Sequence, residues 1–430
     1  MTAAEPTDRP ITEGATLTRP PAPDSRHGRG LRLLWAGQST SLLGDQITVL
    51  ALPLAALASG ASTLQVAVLV GAIHAPFLLL GLPAGVWVSR LGLRRSMLLS
   101  DVLRAAALIS VPVAAVIGAV SYVHLIVVAV AIGCGSVTFL VAYQSLTPLL
   151  VADHRLLRSA NTRLTASEAL ALVGGPALAG LLVGAVGPVR ALAVDAVTYA
   201  ASVGTLAAMH VPADRPRGRS RNTSLRAEVR TGVRYVLASP PLRALLWSSV
   251  LFNMGLAGYE ALLVVFAVSH LGLSPAVLGF TIGVGGVGVP IGLLLSGPVE
   301  RRLGTGAVLI ISGGLSGAGL LVVGTASGDL SAAVIAAGTF ITAVGGGAWG
   351  LTALTTRQTL SRPDMRAMTT AVHRWATYGV LPVGALAAGL AASLLGPRPA
   401  ILLAGAAAQL CVLPLLRSPL RRLRTLTPAT

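Results

Sequence analysis

Residues 85–95 read GVWVSRLGLRR, and residues 297–306 read GPVERRLGTG. In both stretches a glycine stands seven residues before the glycine of an Arg-Leu-Gly tripeptide, Arg90-Leu91-Gly92 and Arg302-Leu303-Gly304. The copies are 212 residues apart in a chain of 430, close to half its length. Glycine permits a tight reversal that a Cβ would obstruct, and the arginines mark a polar loop between apolar runs. Two further pairs share nearly the same offset: DHR from Asp153 with DMR from Asp364, and GPVR from Gly187 with GPRP from Gly396. The chain therefore reads as two copies of one unit.

Composition sets the solvent of that unit. Charged residues are 11% and apolar residues 54%, against about a quarter charged in globular proteins, and the apolar runs are about 20 residues long, enough to span a bilayer. The net charge of +17 lies in short clusters between those runs, which argues against a phosphate-backbone surface and hence against a nucleic-acid partner. Every basic residue is arginine, and with so much Ala, Gly and Pro this suggests a GC-rich, bacterial genome. Cys134 and Cys411 fall inside apolar runs, so neither a disulfide framework nor a zinc site is expected. The first thirty residues have no apolar h-region and read as a disordered tail.

Apolar runs and their breaks predict an all-α membrane protein with twelve spanning helices, at about 31–58, 64–88, 96–118, 122–145, 164–186, 190–209, 242–269, 276–298, 306–325, 331–352, 369–390 and 397–416. Arginines in the tail, in every second loop and after the last helix share one side, with Arg190 and Arg398 on the other and Arg104 inside a helix. The positive-inside rule then places both termini and the long middle loop in the cytoplasm. The expected units are a tail (1–30), a six-helix half (31–209), a linker (210–241), a second six-helix half (242–416) and a basic tail (417–430). In the linker, Pro212, Pro216 and four arginines from Arg215 to Arg221 precede an amphipathic pattern. There Leu225, Val229 and Val233 adjoin a stripe of Arg226, Arg230 and Arg234, a face suited to lipid if it is more than a passive tether. Parallel six-helix repeats with a site between them near the midplane are an architecture of secondary transporters.

These residues resemble the major facilitator superfamily. Its loop between second and third helices, G-x-x-x-D-R-x-G-R-R, is matched by Gly85, Arg90, Gly92, Arg94 and Arg95, with one residue of slippage in the arginines. Ser89 stands where that family has Asp, and Asp101 and Arg104, at i and i+3 nearby, are candidates to carry part of that conformational-switch charge network. The fifth-helix antiporter motif G-x-x-x-G-P-x-x-G-G is similar to ALVGGPALAG, which keeps Gly175, Pro176 and Gly180 with Ala171 and Ala179 replacing glycines. Small residues there allow close helix approach, and Pro176 marks a hinge. LWAGQSTSLLGDQITVLALPLA, SDVLRA, LAVDAVTYAAS and LRAEVRTGVRYVLASPPLRAL look like the macrolide, siderophore and tetracycline efflux branch, over about residues 31–418. That resemblance implies export in exchange for protons.

In the first helix Gln38, Ser41, Asp45 and Thr48 form a polar stripe at i, i+3, i+7 and i+10, which must look inward. Asp45 lies about 20 Å from the helix start, near the midplane. A carboxylate at that depth is costly, and is a functional candidate for proton coupling or a structural hydrogen bond to a neighbouring helix. Glu260 and His74 are further proton-coupling candidates; Glu260 reads equally as an acid at the solvent or lipid interface and His74 as packing. Asn253 at mid-depth, and Thr377 and Tyr378 in the eleventh helix, are candidates for the substrate cavity together with Gln38, Ser41 and Thr48. Arg374 is expected at the interface, Trp35 and Trp375 in the aromatic belt, and Glu168 and Asp195, shallow in their helices, in structural pairs.

No Walker loop, H-E-x-x-H or nucleophile elbow is present in the sequence, so ATP hydrolysis and enzymatic chemistry lack support. The reading is a cofactor-free, proton-driven exporter of a moderately apolar small molecule, a monomer in the bacterial cytoplasmic membrane whose partners are its substrate and the bilayer. An uptake permease of the same fold, or a non-transporting receptor or scaffold, is compatible with the same residues.

Overall fold

The computed structural model describes residues 25–81, 83–146, 154–209 and 225–424, with side chains described outside 25–29, 154–162 and 225–228. The expected tail over residues 1–24, the linker prolines and arginines before residue 225, Asp153 of the DHR pair and residues 425–430 lie outside the described residues. Among the described residues there is no strand, and twelve helices are long and apolar enough to cross a membrane.

In the first six spans the helices are α1 (Ser25–Ala58), α2 (Thr63–Leu80), α3 (Ala84–Leu91), α4 (Leu93–Val116), α5 (Tyr122–Leu146), α6 (His154–Val186) and α7 (Pro188–Ala208). The predicted second helix, 64–88, is interrupted: α2 ends at Leu80, and α3 carries Arg90 at its end as a separate short helix. The next helix, α8 (Leu225–Ala238), precedes the remaining spans, α9 (Pro240–Val264), α10 (Pro275–Gly286) with α11 (Gly288–Leu303), α12 (Thr305–Gly324), α13 (Ser331–Leu360), α14 (Arg366–Gly379) with α15 (Leu381–Leu395), and α16 (Pro397–Gln409) with α17 (Val412–Leu416).

The repeat seen in the sequence recurs in the backbone. Gly92 and Gly304 precede α4 and α12 with φ/ψ of 87°/149° and 87°/160°, and Gly187 and Gly396 precede α7 and α16 with 84°/160° and 90°/164°. Only glycine adopts this region without strain, so each pair turns the chain identically in the two copies. Replacing Gly92 by Ala is expected to cost about 1–3 kcal/mol of stability, read as a lower melting temperature in detergent. Gly85→Ala is the control: Gly85 lies within α3 with open space where a Cβ would go, and the change is expected to be neutral or to stabilise by up to about 1 kcal/mol.

One arginine of the loop, Arg94, binds a helix end. Arg94 donates through Nε to the Leu206 carbonyl at 2.8 Å and through Nη2 to that of Ala207, satisfying C-terminal carbonyls of α7.

Helix α8 departs from the lipid-facing expectation. Its Val233, Tyr235 and Val236 pack with Leu242, Leu246, Met368 and Val372 of α9 and α14, and a Cβ on Gly232 would stand 2.2 Å from Met368 Cγ. Tyr235 Oη accepts the Arg362 N–H at 3.0 Å. Of the apolar stripe, Val233 packs against protein and Val229 is half-buried, while Arg230 and Arg234 remain exposed.

Contacts between the two sets of six spans differ at the two ends. At the end away from the arginines, α6 and α10 meet backbone to backbone: a Cβ on Gly279 would lie 2.2 Å from the Pro176 carbonyl, and one on Gly180 2.5 Å from that of Pro275. One apolar cluster, including Leu54 of α1, Val66 of α2, Val183 of α6 and Leu262 of α9, seals that end. Gly175, Pro176 and Gly180 are buried in α6, so small residues set its spacing to α10 on one side and, through Gly175 against Gln46, to α1 on the other.

Candidate transport site

The polar stripe of α1 faces α7. Two glycines let the helices approach: a Cβ on Gly37 would stand 2.2 Å from Thr205 Oγ1, and one on Gly44 2.1 Å from Asp195 Oδ1. Thr48, buried, donates to Asp195 Oδ2, and Thr198 Oγ1 donates to Asp195 Oδ1 at 2.9 Å. Tyr199 Oη donates to Asp45 Oδ1. Thus Ser41 and Thr48, expected in a substrate cavity, are enclosed at 2% and 5% exposure. A long polar stripe in a membrane found a second helix to bond, as an unpaired polar group in hydrocarbon demands. Gln38 is only partly buried, and its Oε1 is a buried acceptor without a partner among the described residues.

Helix α4 completes the cluster. Arg104 forms an ion pair with Asp101 Oδ1 and donates through Nη1 to Tyr199 Oη at 3.4 Å. Its guanidinium carbon lies 4.2 Å from the centre of the Tyr199 ring and 4.7 Å from that of Phe139, a cation held between two π faces. Ser202 Oγ donates to Asp101 Oδ2 at 2.6 Å. Gly135 of α5 makes room, since a Cβ there would lie 2.7 Å from Arg104 Cγ. Asp101 and Arg104, grouped from sequence with the switch loop, instead bond α7 and each other inside the membrane span. The α4 helix carries them about 12 and 16 Å from its start, beyond reach of that loop.

Arg104 thus pairs directly with Asp101 and is linked to Asp45 through the Tyr199 hydroxyl, while Asp195 is held by Thr48 and Thr198 one turn from Tyr199 on α7. With Arg104 charged the cluster is neutral when two carboxyls hold protons, and each proton lost adds a negative charge. Asp101, Arg104, Asp195 and Tyr199 are at most 3% exposed, whereas Asp45 is only partly buried. Asp45 is where the cluster meets accessible space.

Asp195 and Tyr199 were legible only in part. Asp195, Tyr199 and Ser202 recur at i, i+4 and i+7, one polar face of α7, which was the available signal; depth alone set Asp195 aside, although the expected structural pairing is what Thr48 and Thr198 provide.

At the arginine-rich end a cavity of about 270 Å³ opens between α2, α5 and α14. Its wall includes Phe77, Gln144, Arg374, Trp375 and Tyr378. Phe77 and Tyr378 stack with ring centres 5.0 Å apart, Arg374 Nη1 donates to Gln144 Oε1 at 2.7 Å, and Trp375 Nε1 donates to the Leu78 carbonyl at 3.3 Å. Each of these contacts joins the two sets of spans. Tyr378, one of the two cavity candidates on α14, lines this cavity. Thr377 does not: it is buried, and its hydroxyl donates to the His373 and Arg374 carbonyls in its own helix.

Of the remaining candidates, Asn253 is partly buried with its amide donating to the Ser249 carbonyl at 2.8 Å. Glu260 is exposed on α9, and His74 is partly buried in α2; neither joins the Asp45 cluster. Arg90 and Arg95 are exposed. Trp35 donates to Ser167 Oγ at 2.9 Å, tying α1 to α6.

Residues 25–429 match the family described as transmembrane secretion effector. The chain belongs to that family. Transmembrane secretion effectors are major facilitator proteins, transporters by family and fold and not enzymes. The chain is 29% identical over 232 residues to the multidrug efflux pump Tap of Mycolicibacterium fortuitum, a match covering 52% of this chain and 55% of that one. It therefore spans about half the length of the Tap pumps it matches. An uncharacterized MFS-type transporter of Sinorhizobium fredii, y4rN, is 27% identical over 324 residues, covering 71% and 79% of the two chains. Among solved structures, a bacterial homologue of the iron transporter ferroportin in an inward-facing state superposes with a TM-score of 0.70 at 19% identity, over 90% of this chain and 98% of that one. The nucleoside transporter NupG gives 0.71 at 10% identity, over 90% and 98%. These place this secretion effector in the major facilitator fold.

Proposed function

We propose that the protein exports a moderately apolar small molecule across the bacterial cytoplasmic membrane in exchange for protons, acting as a monomer with both termini cytoplasmic. The carrying observation is the polar network inside the spans that links Arg104 and Asp101, through the Tyr199 hydroxyl, to the partly exposed Asp45. Proton exchange there needs no metal or organic cofactor; the proton gradient supplies the energy. One charge moved through 100 mV yields about 2.3 kcal/mol, roughly a 50-fold substrate gradient.

The apolar and aromatic cavity whose wall includes Phe77 and Tyr378 suits a substrate with a flat apolar body, and its about 270 Å³ falls just below the roughly 300–1,000 Å³ of drug-sized sites. Export agrees with the small-residue contact of α6 with α10 and with the efflux activity named for Tap. Tight contact at one end and a cavity at the other form one of the two states that alternating access requires, and the halves would rock about the α6–α10 contact.

Inside-out vesicles bearing the protein test this reading. Fluorescent dyes and labelled macrolides, tetracyclines and siderophores are offered under respiration, and accumulation of at least one compound is expected to collapse when nigericin removes the pH difference. Depletion from the vesicles would establish uptake instead, and no movement of any compound at verified protein levels would favour the receptor or scaffold reading.

A further inference from the structure

A second cleft lies on the outside of the second set of spans, remote from the Phe77–Tyr378 cavity. It occupies about 190 Å³ between the start of α9 and the end of α17, and its wall includes Arg243, Trp247, Pro414, Arg417 and Ser418. We propose that it binds the head group of an anionic phospholipid.

Charge is the first observation. Arg243 and Arg417 are both exposed, and among the described residues the ion pairs are Arg104 with Asp101 and Arg362 with Asp364, so neither cleft arginine has a carboxylate partner. The side chain of Arg243 makes one long hydrogen bond, from Nη1 to the Leu237 carbonyl at 3.4 Å. Two guanidinium forks with unused donors at one cleft suit a phosphate, which accepts paired N–H bonds. The Ser418 hydroxyl is already committed, donating to the Leu415 carbonyl at 2.9 Å and accepting the Leu420 N–H at 3.2 Å, so recognition falls to the arginines.

Depth is the second. The apolar spans begin at Pro240 and end at Leu416, so both arginines lie at the membrane edge. Trp247 follows Arg243 at i+4 on the same face of α9 and is 50% exposed. A head group at the arginines would set its acyl chains beside the indole, the arrangement of interfacial tryptophans and of basic pockets between helices. A soluble phosphate would make no use of Trp247. Exposed Arg421 and Arg422, on the turn Pro419–Arg422, add positive potential nearby.

Native mass spectrometry of the full-length protein, loaded with phosphatidylglycerol or phosphatidylcholine of matched chains, tests the proposal. One phosphatidylglycerol is expected to stay bound at collision energies that strip phosphatidylcholine, and Arg243→Gln with Arg417→Gln is expected to weaken that retention at least about tenfold. Equal retention of phosphatidylglycerol by wild type and the glutamine variant would overturn it. So would displacement by inorganic phosphate at equal concentration, which would mark a soluble-anion site. Should the glutamine variant fail to fold, Arg243→Lys with Arg417→Lys carries the test: it keeps the charge and is expected still to prefer phosphatidylglycerol, and equal retention of the two lipids would overturn the proposal.

Discussion

Asp45→Asn is expected to abolish proton-coupled accumulation while leaving the protein folded. The amide keeps an oxygen that accepts the Tyr199 hydroxyl, so the contact between α1 and α7 survives. What disappears is the titrating group where the cluster meets accessible space. In proteoliposomes with an imposed pH difference, the substrate gradient should fall from about 50-fold per proton to none. Downhill exchange of labelled substrate should persist, and substrate-triggered proton release should vanish. Release that persisted in the variant would move the coupling site away from Asp45, with Glu260 next to be neutralised.

Arg104→Leu carries the largest expected loss of stability. The guanidinium is 3% exposed and neutralises Asp101, which is fully buried, while resting on Phe139 and Tyr199. Removing one partner of such a pair costs about 3–5 kcal/mol because a buried charge is left uncompensated. The melting temperature in detergent should drop sharply, with loss of monodisperse protein. Arg104→Leu with Asp101→Asn removes both charges and should recover much of that loss, a non-additivity that reports the pair itself. A double variant as unstable as the single would show that Arg104 acts mainly through its ring contacts.

The twelve spans and their repeat were legible because hydrophobic length and glycine placement are local properties. Gly92 and Gly304, 212 residues apart, hold the same left-handed turn. The break between α2 and α3 was harder to see, because Pro83 and Gly85 lie within an otherwise apolar run. Asp45 was legible from depth alone. Its partners were not, since a helix face reveals its own periodicity and not the helix it will meet; Gly37 and Gly44, which bring α7 against α1, carried that information without naming the neighbour. The same gap explains Thr48 and Thr377, polar residues at plausible depths whose hydroxyls are consumed by Asp195 and by their own helix. It also explains α8, whose apolar stripe fits a lipid surface and a protein groove equally well until α14 is seen lying on it.

The contact of Gly180 with Gly279 has a consequence for how such a protein diversifies. It is made of main chain, so nearly any side chain there would pry α6 from α10, and that spot tolerates almost no drift. Phe77, Gln144 and Tyr378 belong to a separate set of residues, which meet across the halves through side chains alone, by a ring stack and an amide bonded to Arg374, so they can change without moving main chain. Selection can therefore rewrite what the cavity admits, one aromatic or amide at a time, while the mechanical frame is inherited unchanged.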